Sequence, residues 1–313
     1  MAQQVETQQS FNLLTELRRL WNHARWPVQS YVLFGWLFGA ILTRRALDIP
    51  FAVAGIAWLF LVVGLTILNS YYDKDENEVG GMRNPMKVTK TLLYGALILL
   101  AIGLGIGAFF IPTYGATYFI LATLMVIAYF FYSYEGTRWK ANGYMAVTIN
   151  AFVGTLTLWG MSALGFTAEN GITLFTPIML IAGLAAATFK ASVYSMMQVH
   201  QIEDDTARGD RSVAVMHGRQ VTLRFSQSMM VLACVFSVWC ISLITNVPMI
   251  LPILALLYFV VVVALFEFWI RSEADTRKDA NRMQRMIVVT GYLSSVAFAV
   301  IYIISSVTGF IVA

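Results

Sequence analysis

Long apolar runs recur along the whole chain, and they constrain the fold more than any other feature. A transmembrane helix needs about 20 consecutive, mostly apolar residues to cross the hydrocarbon core of a bilayer. Nine such runs are present, at residues 28–43, 49–69, 92–111, 114–133, 144–165, 177–199, 222–245, 249–270 and 286–311. The sequence therefore predicts an all-α membrane protein with nine transmembrane helices in a bundle.

The composition agrees with this interpretation and excludes other classes. The chain is 58% hydrophobic and 12% charged, whereas a soluble domain carries about 25% charged residues. It has no basic run that would indicate nucleic-acid binding. Its two cysteines, Cys234 and Cys240, lie in one apolar run, where a helix would point them in different directions. No disulfide is expected between them.

The distribution of Lys and Arg predicts the orientation. If the N terminus lies in the cytoplasm, eighteen of the 21 Lys and Arg residues fall in cytoplasmic segments. Arg44 and Arg45 would lie outside, and Lys190 lies within the sixth span. Because positive residues concentrate on the cytoplasmic side of membrane proteins, we expect a cytoplasmic N terminus in a multi-pass protein of the cell inner or plasma membrane.

Two regions follow from this topology. Residues 1–27 form a polar cytoplasmic or interfacial segment, in which Phe11, Leu14, Leu17 and Trp21 recur at helical spacing. That spacing is typical of an amphipathic helix at a membrane surface, although a plain polar lead-in fits equally. Residues 28–313 form a single transmembrane domain.

Two acidic clusters follow the second and sixth spans, on the same predicted side. The candidate metal ligands in them are Asn69, Asp73, Asn77, Gln201, Asp204 and Asp205. Spacings of four residues would stack their oxygens on one face of a continuing helix. Such oxygen ligands suit Mg²⁺, which often bridges to substrate phosphates. One cluster alone would be read as a solvated loop, but two at one membrane face favour a metal site.

Basic residues adjoin both clusters and the loop between them. They are Arg83, Lys87, Arg138, Lys140, Arg208 and Arg211. Carboxylates that hold Mg²⁺, surrounded by guanidinium and ammonium groups, form a receptor for a diphosphate. The positive-inside rule would place cations here in any case, so each one alone indicates little.

The order of these motifs resembles the UbiA superfamily of intramembrane prenyltransferases. The matching stretches are Asn69 to Asp73 (N-x-x-x-D), Arg83-Asn-Pro85, Tyr134 to Gly143, Gln201-Ile-Glu-Asp-Asp205, Gly209-Asp-Arg211-Ser212, and Ser212 to Gly218 (S-x-A-x-x-x-G). Nine spans is also the number in this family, so the resemblance covers essentially the whole chain. Its specificity is concentrated in the two acidic motifs.

The resemblance implies a bundle around a central cavity that opens toward the membrane. Two Mg²⁺ ions would hold an isoprenyl diphosphate at its cytoplasmic mouth. The implied metal ligands are Asn69, Asp73 and Asp205. The implied diphosphate-binding residues are Arg83, Arg138, Lys140 and Arg211. Asp73, Asp205 and Lys140 would therefore be the catalytic residues.

This chain departs from the family pattern at Asn77 and Gln201, where the family commonly has Asp. Each replacement keeps an oxygen but loses a negative charge. Either the nearby Glu76, Glu203 or Asp204 compensates, or the metal affinity is weaker, or this branch catalyses a different reaction.

The implied chemistry is ionisation of the diphosphate to an allylic carbocation, which a lipophilic acceptor, aromatic or isoprenoid, then attacks. The candidates to shield the cation with their rings are Tyr71, Tyr72, Tyr129, Tyr132, Phe34 and Trp36, although aromatic residues at these positions also suit simple packing. Lys190 is a candidate substrate-binding residue, because charges inside a span usually face a cavity or a partner. It would serve the diphosphate or a polar acceptor, and a structural ion pair is equally open.

Three rival functions remain, one of which is a non-catalytic member of the family that binds an isoprenoid or chaperones a partner. A terpene cyclase of the same family would ionise the same diphosphate and let the substrate's own double bonds capture the cation. A membrane transporter would require charges near the middle of several spans, and Lys190 alone meets that condition. The expected partners are therefore an isoprenyl diphosphate, a lipophilic acceptor and membrane lipid, with Mg²⁺ as cofactor and no nucleic acid.

Overall fold

A computed structural model describes residues 12–75, 77–166, 171–244, 248–307 and 309 of the chain. Residues 1–11 of the predicted N-terminal segment, Glu76, and the ends of the seventh and ninth predicted spans lie outside the described residues. The helices are α1 (Leu13–His23), α2 (Trp26–Thr43), α3 (Ile49–Asp73), α4 (Lys90–Phe109), α5 (Ile111–Tyr114), α6 (Thr117–Ser133), α7 (Gly143–Ser162), α8 (Pro177–Met197), α9 (Ile202–Arg208), α10 (Val213–Ser242), α11 (Ile250–Arg271), α12 (Thr276–Val288) and α13 (Ser294–Val307). Short 3₁₀ turns follow α6, α7 and α8, and a π-helical turn joins α12 to α13.

The described part of the chain is all-helical, as predicted, and each of the nine predicted spans overlaps a helix. Seven helical segments within it are long and apolar enough to cross a membrane: Ile49–Asp73, Lys90–Phe109, Gly143–Gly165, Pro177–Arg208, Val213–Ser242, Ile250–Arg271 and Thr276–Val307. The first and fourth predicted spans correspond to α2 and α6. The helix α6 is apolar but has only 17 residues, and α2 begins with the less apolar stretch Trp-Pro-Val-Gln-Ser.

The interior consists of two apolar clusters that share α2. One joins α2 to α8, α10, α11 and α13, and the other joins α2 to α3, α4, α6 and α7. Close helix contacts require small residues. At Gly154, a Cβ atom would lie 2.6 Å from the carbonyl oxygen of Ala186 and 2.7 Å from Cβ of Lys190, so glycine is what lets α7 approach α8 here.

The helix that carries the first acidic motif ends earlier than predicted. The helix α3 stops at Asp73, and Lys74 adopts the left-handed conformation with φ of 51°. The chain then forms a turn in which the backbone N–H of Val79 and that of Met82 each donate to the other residue's carbonyl oxygen, at 3.0 and 2.9 Å. The expectation that Asn77 stacks on the same helical face as Asn69 and Asp73 is therefore wrong.

The second acidic motif lies on a broken helix. A 3₁₀ turn over Val199–Gln201 separates α8 from α9, so Gln201 precedes the helix that carries Asp205. The segment after α9 is anchored to the loop after α6. There Arg211 donates its backbone N–H to the carbonyl oxygen of Ala141, and Gly143 donates to the carbonyl oxygen of Arg211, both at 2.9 Å.

The first helix is amphipathic, as its sequence indicates. Its apolar side chains Leu13, Leu14, Leu17 and Trp21 are exposed, whereas Arg19 and His23 on the other face are buried. His23 Nε2 lies 2.8 Å from the carbonyl oxygen of Met86, which fixes α1 against the segment before α4.

Candidate active site

A cavity of about 120 Å³ lies among α2, α3, α6, α7 and α8. The side chains of Asn69 and Asp73 from α3 and of Gln201 and Asp205 from the α8–α9 segment all line it. Four of the six candidate metal ligands are thus brought together from two motifs more than 100 residues apart in the sequence. They surround one space, although α3 and α9 belong to different spans.

Asp73 is neutralised by a lysine from the loop after α6. Lys140 forms an ion pair with Asp73, and its ammonium also donates to Asn69 Oδ1 at 3.1 Å. Asn69 in turn donates to the second oxygen of Asp73 at 3.0 Å and accepts from Ser133 at 3.0 Å. Burial lowers the pKa of Lys140, and the adjacent Asp73 carboxylate opposes that shift.

Asp205 is neutralised by an arginine on its own short helix. Arg208 donates to Asp205 at 2.6 Å and lies 3.5 Å from Asp210, which also accepts from Arg138 at 2.9 Å. The carboxylate of Asp205 is 9% exposed, whereas the Arg208 side chain is 40% exposed. The arginine can therefore move into solvent while the carboxylate stays at the cavity wall.

A third ion pair was not predicted from the sequence. Arg25 and Asp75 both line the cavity and form an ion pair with each other, and Arg25 also donates to Ser70 at 2.9 Å. Burial raises the pKa of Asp75, and the Arg25 guanidinium opposes that rise. Arg25 lies just before the first span, where a positive charge is expected at any membrane interface. Nothing in its sequence context indicates a role in the cavity.

The remaining two candidate metal ligands do not line the cavity. Asn77 donates to Asp204 Oδ1 at 3.2 Å, in an exposed contact that joins the loop after α3 to α9. Their side chains therefore link the two motifs to each other at the mouth.

Several predicted substrate-binding residues also lie elsewhere. Arg83 is exposed and is not part of the cavity lining. Arg138 and Arg211 line a separate surface depression, from which Arg138 reaches Asp210. Tyr72 packs edge-to-face on Tyr134, with ring centroids 5.8 Å apart, outside the cavity lining. Of this predicted set, Lys140 and Lys190 are the two that line the cavity.

The position expected of Tyr72 is taken by four other tyrosines, of which Tyr129 and Tyr132 were also candidates. Tyr31, Tyr129, Tyr132 and Tyr194 line the cavity below the acidic residues, together with apolar side chains such as Val62. The cavity thus has carboxylates, amides and three of its cations at one end. At the other end it has aromatic and aliphatic side chains, with Lys190 against the Tyr31 ring. A site of this class suits an amphiphile with a multiply charged anionic head and an apolar body.

The sequence between residues 32 and 289 matches the model of the UbiA prenyltransferase family. The chain belongs to this family, and the resemblance inferred from its motifs is confirmed.

Several solved structures share the fold of this chain. A UbiA homologue from Archaeoglobus fulgidus bound to GPP and Mg²⁺ is 17% identical, with a TM-score of 0.66, over 92% of this chain and 99% of that chain. A digeranylgeranylglyceryl phosphate synthase is 15% identical with a TM-score of 0.62 over the same shares of the two chains. An apo homologue from Aeropyrum pernix K1 is 16% identical with a TM-score of 0.58, over 84% and 96%. Among curated proteins, none matches this chain.

Proposed function

We propose that this protein is a Mg²⁺-dependent intramembrane prenyltransferase, which transfers an isoprenyl group from its diphosphate to a lipophilic acceptor. The observation that carries the proposal is that acidic and amide side chains from both family motifs line one cavity with Lys140, Arg25 and Arg208. The Archaeoglobus fulgidus homologues, which are bound to DMAPP or GPP and Mg²⁺, support this choice of substrate and metal.

The proposed topology has nine spans, with α2 and α6 as the first and fourth and the N terminus in the cytoplasm. The Lys and Arg distribution supports this orientation, because eighteen of the 21 then lie in cytoplasmic segments. The loops that carry both acidic motifs would lie on that side. A water-soluble diphosphate would reach the mouth of the cavity directly from the cytoplasm.

The residues at the mouth fit Mg²⁺ by their chemistry. No group of three or more Asp, Glu, His or Cys side chains gathers at one point within the described residues. The carboxylates of Asp73 and Asp205 would therefore act with the amide oxygens of Asn69 and Gln201 and with water. This mixed oxygen set is what Mg²⁺ accepts, since it usually binds one or two carboxylates and keeps several waters. When bound, Mg²⁺ would neutralise charge on the departing diphosphate.

The ion pairs at the mouth suggest how the chain's own residues respond to substrate. Lys140 and Arg208 neutralise the carboxylates that would hold the metal. If those carboxylates hold a divalent cation, Lys140 and Arg208 would be free to bind the diphosphate oxygens. Lys140 and Arg208 would therefore pair with the carboxylates in the empty site and with the diphosphate in the occupied site.

The reaction breaks the bond between C1 of the isoprenyl group and the bridging oxygen. The electron pair leaves with the diphosphate, the acceptor forms a new bond to C1, and the acceptor then loses a proton. Tyr129, Tyr132 and Tyr194 would shield the allylic cation with their rings, and the apolar walls exclude the water that would otherwise capture it.

Removing either central carboxylate tests this proposal. Asp73→Ala and Asp205→Ala should each lower turnover of geranyl diphosphate by at least about 100-fold and should weaken its Mg²⁺-dependent binding, measured by calorimetry in detergent. Glu273→Ala is the matched control, because its side chain is 80% exposed and pairs only with Lys278 outside the cavity. Full activity in both aspartate variants would refute the assigned site.

The same purified protein separates transfer from cyclisation. Incubation with geranyl or geranylgeranyl diphosphate and Mg²⁺, without any acceptor, should yield no cyclic product. A cyclic hydrocarbon or alcohol from the diphosphate alone would assign the cyclase reaction instead.

A further inference from the structure

The helix α1 turns its apolar face outward and its polar face toward the rest of the protein. Four large apolar side chains lie within an arc of about 100° on its surface, and each is 52–66% exposed. They are Leu13, Leu14, Leu17 and Trp21. Arg19 and His23, on the opposite face, are buried. A helix at a water-facing surface has the reverse arrangement, so we expect the medium around α1 to be apolar.

The position of α1 brings this face to the edge of the bilayer. The helix ends at His23, and α2, which corresponds to the first predicted span, begins at Trp26. Trp21 packs on Trp26, with ring centroids 4.6 Å apart. Leu20 packs against Gly95, where a Cβ atom would lie 2.3 Å from a methyl carbon of Leu20. Gly95 lies about 8 Å into α4 at 1.5 Å per residue, and α4 is long and apolar enough to cross a membrane.

The surface of α4 around this contact indicates what covers α1. Tyr94 and Ile98 lie on either side of Gly95 along the helix, and both are at least 59% exposed. A bilayer that covers these side chains of a span extends to the level of Leu20, and thus to the apolar face of α1. Arg18 lies at the edge of that face and is exposed. Its long side chain can extend to the phosphates of lipid headgroups.

The buried face of α1 holds the segment between the first acidic motif and α4. Asn22 donates from its amide nitrogen to the carbonyl oxygen of Asn84 at 3.1 Å and accepts from the backbone N–H of Met86 at 2.9 Å. Arg19 donates to the hydroxyl of Thr89 at 3.2 Å. The position of residues 84–89 therefore depends on the position of α1.

The chain leaves α1 through a residue of the cavity wall. Arg25 follows α1 closely, adopts the left-handed conformation with φ of 49°, and pairs with Asp75. Both residues line the cavity. A displacement of α1 would therefore also pull on a charge at the cavity mouth.

We propose that α1 lies in the bilayer surface on the side of the acidic motifs, with its apolar face among the acyl chains. Its partner is the lipid surface itself, which thereby holds residues 84–89 against the protein. The proposal goes beyond the proposed function, because it does not depend on the reaction that the cavity catalyses.

A spin label reports the depth of α1 in lipid vesicles. A nitroxide on Leu17→Cys, in a background with Cys234→Ala and Cys240→Ala, should lie about 5–10 Å below the headgroup boundary. Oxygen, which concentrates among the acyl chains, should therefore relax this label more than a water-soluble nickel complex does. Ala207→Cys, at an exposed position of α9, is the matched control. There the nickel complex should be the more effective of the two.

Two double variants test whether the lipid contact holds residues 84–89. Leu14→Gln with Leu17→Gln makes half of the apolar face polar and keeps a similar helix propensity. Hydrogen exchange of the Met86 amide in lipid nanodiscs should then become roughly tenfold faster, because its hydrogen bond to Asn22 opens more often. Leu14→Met with Leu17→Met is the matched control, since it keeps both the apolar surface and the helix propensity. Its exchange should equal that of the parent protein.

Both double variants should unfold at the temperature of the parent protein, because Leu14 and Leu17 are exposed and the interior is unchanged. If the glutamine variant unfolds earlier, the depth of the label at position 17 still decides the inference. It is overturned if the nickel complex reaches that label as readily as the label at position 207. It is also overturned if both reagents are excluded, which would place a second copy or another part of the chain on this face. Unchanged exchange of Met86 in a folded glutamine variant would disprove the hold of the lipid surface on residues 84–89.

Discussion

Single residues at the mouth show how carboxylates that are partly or fully withdrawn from water are balanced by cations. Asp73, Asp75 and Asp205 are each paired with a cation, and two of these cations come from distant parts of the chain. A buried carboxylate without such a partner would be expensive and would tend to take up a proton. The cations thus preserve the ionised oxygens that a divalent metal requires.

Asn77 stands where the family commonly has Asp, and its contacts show why the chain tolerates the loss of that negative charge. Asn77 donates a hydrogen bond to Asp204, which an aspartate at position 77 could not do. We expect Asn77→Asp to place two carboxylates about 3 Å apart and to repel the loop from α9. Thermal unfolding in EDTA should then begin roughly 1–2 °C lower than in the parent protein. Saturating Mg²⁺ should recover this loss, because the cation screens both carboxylates.

Asn77→Ala is the control for that measurement, since it removes the hydrogen bond without adding charge. It should lower the midpoint slightly and show no additional response to Mg²⁺. Equal midpoints for Asn77→Asp and the parent protein in EDTA would mean that the contact with Asp204 does not persist in solution.

Among the elements, α12 fixes the loop that follows the first motif. Gln284 accepts from the backbone N–H of Gly81 at 3.0 Å and donates to the carbonyl oxygen of Val79 at 3.0 Å and to Glu78 at 3.1 Å. Val79 and Gly80 of this loop line the cavity. A helix late in the sequence thereby holds part of the wall of a cavity whose proposed metal-binding residues lie on α3 and in the segment from α8 to α9.

We expect Gln284→Ala to loosen that loop. The variant leaves the partly buried N–H of Gly81 without its acceptor and removes one of the two donors to the carbonyl oxygen of Val79. An unmade hydrogen bond of this kind costs about 1–3 kcal/mol. Hydrogen exchange at residues 78–82 should become faster, and the KM for geranyl diphosphate should rise while α12 remains helical. Gln220→Ala, at an exposed position of α10, should change neither quantity. Unchanged exchange at residues 78–82 would show that other contacts hold the loop.

The helices were predictable from the sequence because bilayer thickness imposes one length on every span, and each span is a local pattern of apolar residues. The ends of the helices were less predictable. The helix α3 was expected to continue to Asn77, but Lys74 takes a left-handed conformation and stops it at Asp73. The position at which α3 ends depends on contacts such as the ion pair of Asp75 with Arg25. Arg25 lies fifty residues earlier in the chain, so a local sequence pattern does not contain this contact.

For the whole molecule, the site residues within the local motifs were predictable, whereas those set by contacts between distant helices were not. Asn69, Asp73, Gln201 and Asp205 line the cavity because each motif is short and leaves its span at a defined helical position. Arg83 and Arg211 lie outside it, and Arg25 and Gln29 line it. Basic residues abound on a cytoplasmic face, so only the packing of distant helices decides which of them turn inward.

The proposed nine-span topology places the loop after α3 in the cytoplasm and the turn between α5 and α6 on the other side. It can be tested with single cysteines in a background where Cys234 and Cys240 are replaced by alanine. Asn84→Cys and Ala116→Cys each introduce a thiol at an exposed position. An impermeant maleimide should label Ala116→Cys in intact cells and Asn84→Cys only in inverted vesicles, because nine spans from a cytoplasmic N terminus put these loops on opposite faces.

The cysteine-free background should remain unlabelled in both preparations, and detergent should make both introduced thiols reactive. Labelling of both positions from one face would remove α4 as a crossing and contradict the topology. The reversed pattern would keep the spans but place the acidic motifs outside the cell. The positive-inside bias argues against that orientation, and cytoplasmic diphosphate would then have no direct route to Asp73 and Asp205.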